Sequence, residues 1–193
     1  ENIMAAEAAG GYKMRIIAGD YKGRRLQSPQ DYSIRPTTDK VKEALFSILT
    51  EKIWGSRVLD LFAGTGNLGI EALSRGAETC VFADSSRESL RLIRENIAHC
   101  KAEEGARVEA GDYRKILGNQ TEPFDIILLD PPYNKGLLDE CFRLIAENEL
   151  LAEDGVIVAE HRREEKMPEE LHGFQKQKER RYGIVMLSIY ANG

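Results

Sequence analysis

An α/β domain built on a mostly parallel sheet is the fold class that the sequence predicts, on three observations. From Arg57 onward, short apolar segments alternate with segments of helical period. Each short segment is nearly continuous in apolar residues, as a strand covered on both faces requires. The C-terminal stretch then drops the helices and places two strand-like segments next to each other. The first two features give a parallel sheet with helices on both sides, and the third closes it with an antiparallel hairpin.

Residues 1–13, rich in Ala and Gly, read as an expression remnant or disordered extension, with Met14 as a native start. Residues 14–18 and 24–27 alternate around the turn Gly19-Asp20-Tyr21-Lys22-Gly23, which predicts a small β-hairpin in an N-terminal extension of residues 14–35. The main domain is expected over 36–193. After Arg35-Pro36, the pair Thr37-Thr38 offers a helix N-cap, and Val41, Leu45, Ile48, Leu49 and Ile53 recur at helical spacing. Strands are expected at 58–62, 79–83, 106–110, 126–129 and 156–160, with helices at 66–75, 86–100 and 137–147. Strands at 175–181 and 184–190, turning at Tyr182-Gly183, form the closing hairpin.

The 193 residues are 42% hydrophobic and 31% charged, which suits one α/β domain. Cys80, Cys100 and Cys141 are widely spaced and show no CxxC pattern, which points to a reducing cytoplasm. His99, His161 and His172 form no ligand-spaced cluster, so no metal is expected. No apolar run is long enough for a membrane span. The net charge is −5, yet between Lys13 and Lys42 eight basic residues face three acids. That segment, with Arg15, Lys22, Arg24 and Arg25 on the hairpin, is a candidate nucleic-acid footprint; a solvated face is the commoner meaning of such a run.

Between the strand at 58–62 and its helix lies Asp60-Leu61-Phe62-Ala63-Gly64-Thr65-Gly66-Asn67-Leu68-Gly69, a G-x-G-x-x-G loop. Glycines let the backbone approach a ligand at a helix N-terminus. Asp84 ends the next strand, where a carboxylate accepts both hydroxyls of a ribose. Asp60 and the lack of any Lys or Arg before Arg75 make an acidic mouth, better suited to an ammonium and a sulfonium than to a pyrophosphate. S-adenosylmethionine is such a ligand. Asp112, in Gly111-Asp112-Tyr113, accepts the adenine amino group or caps the following helix, and the sequence weighs the two equally.

The apolar run at 124–129 ends in Asp130-Pro131-Pro132-Tyr133. A strand closing on an acid, two prolines and an aromatic presents a carboxylate, a carbonyl and a flat ring at fixed φ angles. Those parts suit the exocyclic amine of a nucleobase, which needs acceptors for its hydrogens and a stacking surface. Read alone, the loop does not say which base.

In order, the glycine loop, Asp84, Asp112 and Asp130-Pro131-Pro132-Tyr133 resemble the Rossmann-like class I methyltransferases, the last matching the signature of enzymes that methylate exocyclic amino nitrogens. Met14-Arg15-Ile16-Ile17-Ala18-Gly19, Gly23-Arg24, Arg35-Pro36-Thr37-Thr38-Asp39 and Val41-Lys42-Glu43-Ala44-Leu45-Phe46 resemble the start of the bacterial RsmD family. The resemblance implies a seven-stranded, mostly parallel sheet with an N-terminal β-hairpin, and methylation of guanine N2 in 16S ribosomal RNA from S-adenosylmethionine. It implies a cofactor site at Asp60, Phe62, Ala63, Gly64, Gly66, Asp84, Ser85, Asp112, Tyr113 and Asp130, with Arg35 and Thr37 closing over the methionine end. Asp130, Pro131, Pro132 and Tyr133 would receive the base. The partner is then 16S RNA, within a small ribosomal subunit or assembly intermediate, and a monomer is expected.

Three rivals share parts of the pattern. A DNA adenine-N6 or cytosine-N4 methyltransferase would use the same loop, but such enzymes usually add a recognition domain. An NAD-dependent oxidoreductase leaves the Pro-Pro loop unexplained, and a non-catalytic RNA-binding module leaves the four retained aspartates unexplained.

Overall fold

The computed structural model describes residues 14–29, 38–133 and 136–193. Along the chain these form α1 (Asp39–Ile48), α2 (Thr50–Ile53), β1 (Arg57–Asp60), α3 (Asn67–Ser74), β2 (Thr79–Asp84), α4 (Arg87–His99) and β3 (Ala106–Ala110). There follow α5 (Tyr113–Asn119), β4 (Phe124–Leu129), α6 (Leu137–Glu147), β5 (Leu151–Arg162), β6 (Glu170–Leu171), β7 (Phe174–Tyr182) and β8 (Val185–Asn192).

One sheet holds the strands in the order β3-β2-β1-β4-β5-β8-β7-β6. Strands β1 to β5 run parallel to their neighbours. Strand β8 lies antiparallel to β5, and β7 antiparallel to β8. After β1 the chain builds outward to β2 and β3, then returns to add β4 on the other side of β1. The carboxyl ends of β1 and β4 therefore flank the crevice where strand order reverses.

Apolar side chains alternate between the faces. Val58, Phe82, Ile126, Leu128 and Val158 pack under α1, α3, α4 and the N-terminal segment. Leu59, Val81, Ile127, Leu129 and Ile157 pack under α5 and α6. Burial on both faces is why these strands read as unbroken apolar runs, each large side chain contributing about 1.5–3 kcal/mol.

The N-terminal hairpin is shorter than the alternation suggests. A single antiparallel bridge joins Arg15 to Arg25, flanked by hydrogen bonds from Ile16 N to Arg24 O and from Leu26 N to Met14 O, both 2.9 Å. The ladder stops because the next amides are taken elsewhere: Ile17 N–H and Ala18 N–H donate to the Glu71 carboxylate at 2.8 and 3.1 Å. Lys42, fully buried, closes this hub from α1, 3.1 Å from Glu71 Oε1 and 2.7 Å from Asn67 Oδ1.

The helix expected after Thr38 divides at Leu49, because the Thr50 hydroxyl donates back to the carbonyls of Phe46 and Ser47, both at 3.0 Å. The sheet carries one strand beyond the expected seven. Strand β6 is a two-residue edge, made where His172 and Gly173, both at positive φ, fold the chain back onto β7.

Candidate active site

At the strand-reversal point lies a cleft of about 570 Å³, bounded by the ends of β1, β2, β4 and β5 and the loops after β1, β3 and β4. The glycine loop forms one wall. Gly66 is the N-cap of α3 at φ 83°, a left-handed conformation that favours glycine. Gly69 answers a different need, since a Cβ there would lie 2.3 Å from Phe82 Cε1 and 2.8 Å from Cys80 Sγ. The loop is held from behind by Asn96 of α4, whose amide donates to Thr65 O at 2.8 Å.

Asp84 closes this wall with both oxygens committed, accepting from Gly64 N–H at 3.0 Å and Ser86 N–H at 2.9 Å. Each oxygen keeps a lone pair for a further donor. Asp112 caps α5 by accepting from Arg114 N–H at 2.9 Å and also lines the cleft, so its two expected roles are compatible. Burial, together with a 2.7 Å hydrogen bond from its hydroxyl to Glu140, pushes the Tyr113 phenol up to about 12. Its ring, 5.8 Å from that of Phe62, serves as an apolar surface. Ser85 is exposed at the rim.

Asp60 differs from the simple picture of an acidic mouth. It is 2% exposed, and Oδ2 accepts the Gly69 N–H at 3.0 Å, tying β1 to the first turn of α3. Burial raises its carboxyl to about 7, with Asp84 adding to the effect and the Gly69 hydrogen bond opposing it. Near neutrality it is therefore partly protonated, and a cation beside it would favour the ionised form.

The opposite wall is Asp130-Pro131-Pro132-Tyr133. The Asp130 carboxyl stays protonated well above the ordinary range, first through burial, then through the neighbouring charges of Glu160 and Asp60. Pro131 is buried and Pro132 exposed. Tyr133 donates to Glu160 Oε1 at 3.4 Å, and the Arg162 guanidinium lies 4.9 Å over the Tyr133 ring.

Glu160 and Arg162 belong to no motif in the sequence. Their signal was period two: an acid and a base at alternate positions ending an apolar strand. Asp60, Asp84, Asp130, Glu160 and Arg162 continue the parity of Val58, Phe82, Leu128 and Val158, so all project from one face of the sheet.

Arg35 and Thr37 lie outside the described residues. Of the hairpin cations, Arg15, Lys22 and Arg25 are exposed, with Arg15 3.7 Å from Asp39. Arg24 is committed instead: it donates to Cys100 O and stacks 4.9 Å from the Tyr21 ring, fastening the hairpin to the end of α4. Arg180 and Arg181 are exposed at the end of β7. No helix among the described residues is long and apolar enough to cross a membrane, and no cluster among them could hold a metal ion.

The family model described as "Conserved hypothetical protein 95", which represents the RsmD family, matches residues 14–191. The chain belongs to the RsmD family. Among its RsmD-family relatives, "Ribosomal RNA small subunit methyltransferase D" of Escherichia coli strain K12 is 35% identical over 182 residues, covering 94% of this chain and 91% of that protein. Bacillus subtilis YlbH is 41% identical over 180 residues, covering 92% and 98%. The solved structure of Escherichia coli yhhF matches with a TM-score of 0.85 at 34% identity, over 94% of this chain and 98% of that one. The RsmD-family sheet described above is the class I methyltransferase fold.

Proposed function

We propose that this chain transfers a methyl group from S-adenosylmethionine to the exocyclic N2 of a guanine in 16S ribosomal RNA. The observation that carries the reading is the meeting of the glycine loop and the Asp130 loop across one cleft, with Asp130 backed by Glu160.

The residues present fit the cofactor. Asp84, its carboxylate oriented by Gly64 and Ser86, would accept the ribose hydroxyls, and Asp112 the adenine amine. Phe62 and Tyr113 give adenine an apolar surface, while Asp60 suits the methionine ammonium. Arg35 and Thr37 would close over that end. When bound, S-adenosylmethionine supplies a methyl group on a sulfonium, already an excellent leaving group.

Catalysis by the chain is then positioning and control of the amine. Asp130 and the Pro131 carbonyl accept the two amine hydrogens, drawing the nitrogen lone pair out of conjugation and toward the methyl donor. A protonated carboxyl still offers an acceptor oxygen, and after releasing its own proton to solvent it takes the one that N2 sheds. Tyr133, fixed by Glu160, gives the swung-out base its stacking surface. The exposed Arg15, Lys22 and Arg25 would hold the RNA backbone.

Incubation of the purified protein with radiolabelled S-adenosylmethionine and, separately, small ribosomal subunits, protein-free 16S RNA and DNA tests the reading. Label should enter ribosomal RNA. Label entering DNA alone would sink it.

A further inference from the structure

Arg162 is the cleft residue whose chemistry the proposed function leaves unused. It ends β5, where its backbone pairs with Val185 of β8. Its carbonyl accepts the Glu165 N–H at 3.0 Å and lies 2.9 Å from His161 Nδ1, so the chain at this point is well fixed. The side chain lines the cleft and sits over the Tyr133 ring. Its Nε is buried and makes no hydrogen bond among the described residues. A buried guanidinium N–H without an acceptor is costly, so a group that arrives with acceptors is strongly favoured there.

We propose that Arg162 reads the O6/N7 edge of the target guanine. This assignment rests on the guanine-N2 reading above. The base takes the face of Tyr133, and the guanidinium slides from over the ring to the rim of the stacked base. There its planar fork meets two in-plane acceptors, the pairing that distinguishes guanine from other bases. Adenine presents an amino group in place of O6, and its hydrogens would oppose the arginine donors. The Asp130-Pro131-Pro132-Tyr133 loop accepts any exocyclic amine; Arg162 supplies the choice among bases that the loop lacks. A backbone phosphate is the less fitting partner, because the orphan Nε is buried in the cleft against the stacking ring rather than presented to solvent.

The test uses small-subunit RNA carrying, at the methylated position, either guanine or 2,6-diaminopurine, which keeps the 2-amino group and replaces O6 by an amine. Methylation of the guanine substrate by wild-type protein is the control that bears on the proposed function itself. Arg162→Ala should lower kcat/KM on guanine by about five- to 150-fold and leave 2,6-diaminopurine nearly unaffected, collapsing the preference. Arg162→Lys, which keeps a cation over Tyr133 but loses the fork, should collapse it as well and serves if the alanine variant folds poorly. S-adenosylmethionine binding should be unchanged in both. Equal losses on the two bases would reduce Arg162 to a clamp on Tyr133, and an unchanged base preference with a shallower salt dependence would make it a phosphate contact. Either result overturns the assignment.

Discussion

Asp130 and Glu160 stand close together at the carboxyl ends of adjacent strands β4 and β5, where the Glu160 charge adds to burial in holding a proton on Asp130. A buried carboxyl beside a second acid at the edge of a cleft is placed to take up the proton of a reacting amine.

Removing the Asp130 side chain should therefore abolish transfer and spare binding. Asp130→Ala is expected to lower kcat by about 10²–10³-fold while S-adenosylmethionine affinity, by calorimetry, changes little. Glu160→Gln removes the neighbouring charge that raises the Asp130 carboxyl, so the rising limb of the pH–rate profile should move to lower pH. An unmoved limb would take Glu160 out of the proton chemistry.

Asp60 provides a prediction about stability. Its folded carboxyl titrates at about 7, against 3.8 for an ordinary aspartate. The folded state thus holds a proton that the unfolded chain has released; this stabilisation is complete below about pH 4 and is lost as pH rises through 7. Between those limits its slope is about 1.4 kcal/mol per pH unit. Asp60→Asn, which keeps an acceptor for Gly69 N–H, should flatten the urea-unfolding free energy by about that slope. A pH dependence parallel to wild type would place the raised value elsewhere.

The Glu71 hub should be a point of fragility. Glu71 is fully buried and ties Lys42, Arg75 and the amides of Ile17 and Ala18 together. Glu71→Ala leaves the buried Lys42 ammonium without its carboxylate and should cost about 3–5 kcal/mol. Urea denaturation reads this directly, and a loss below about 1 kcal/mol would show that Asn67 and Arg15 O suffice for Lys42.

Among the hairpin cations, Lys22 and Arg25 are the ones free to meet RNA. Lys22→Glu combined with Arg25→Glu should weaken RNA binding and make the slope of log K against log salt shallower by roughly 1.5 to 2, with cofactor affinity intact. Arg24→Ala should instead lower thermal stability, because Arg24 fastens the hairpin to α4. An unchanged salt slope in the double variant would move the RNA footprint off the hairpin.

Much of this was legible in the sequence because it rests on local rules. Strands β1, β2 and β4 are apolar runs of the right length, the glycine loop needs positive φ at Gly66, and Thr38, Ser86 and Asp112 cap helices where cap residues stand. What escaped depends on contacts distant in sequence. The hairpin is cut short by a carboxylate 53 residues away from Ala18. Asp60 reads as a charge, and only its burial, helped by the Asp84 charge, makes it a partly protonated acceptor for the Gly69 N–H. Glu160 and Arg162 gain meaning once β5 lies beside β4, placing them against Tyr133.

The identity of the methylated nucleoside tests the central claim most directly. Small ribosomal subunits treated with the purified protein and S-adenosylmethionine would be digested to nucleosides and resolved by chromatography with mass spectrometry. The expected product is N2-methylguanosine, formed by wild type and absent with Asp130→Ala. N6-methyladenosine or N4-methylcytidine in its place would contradict the account.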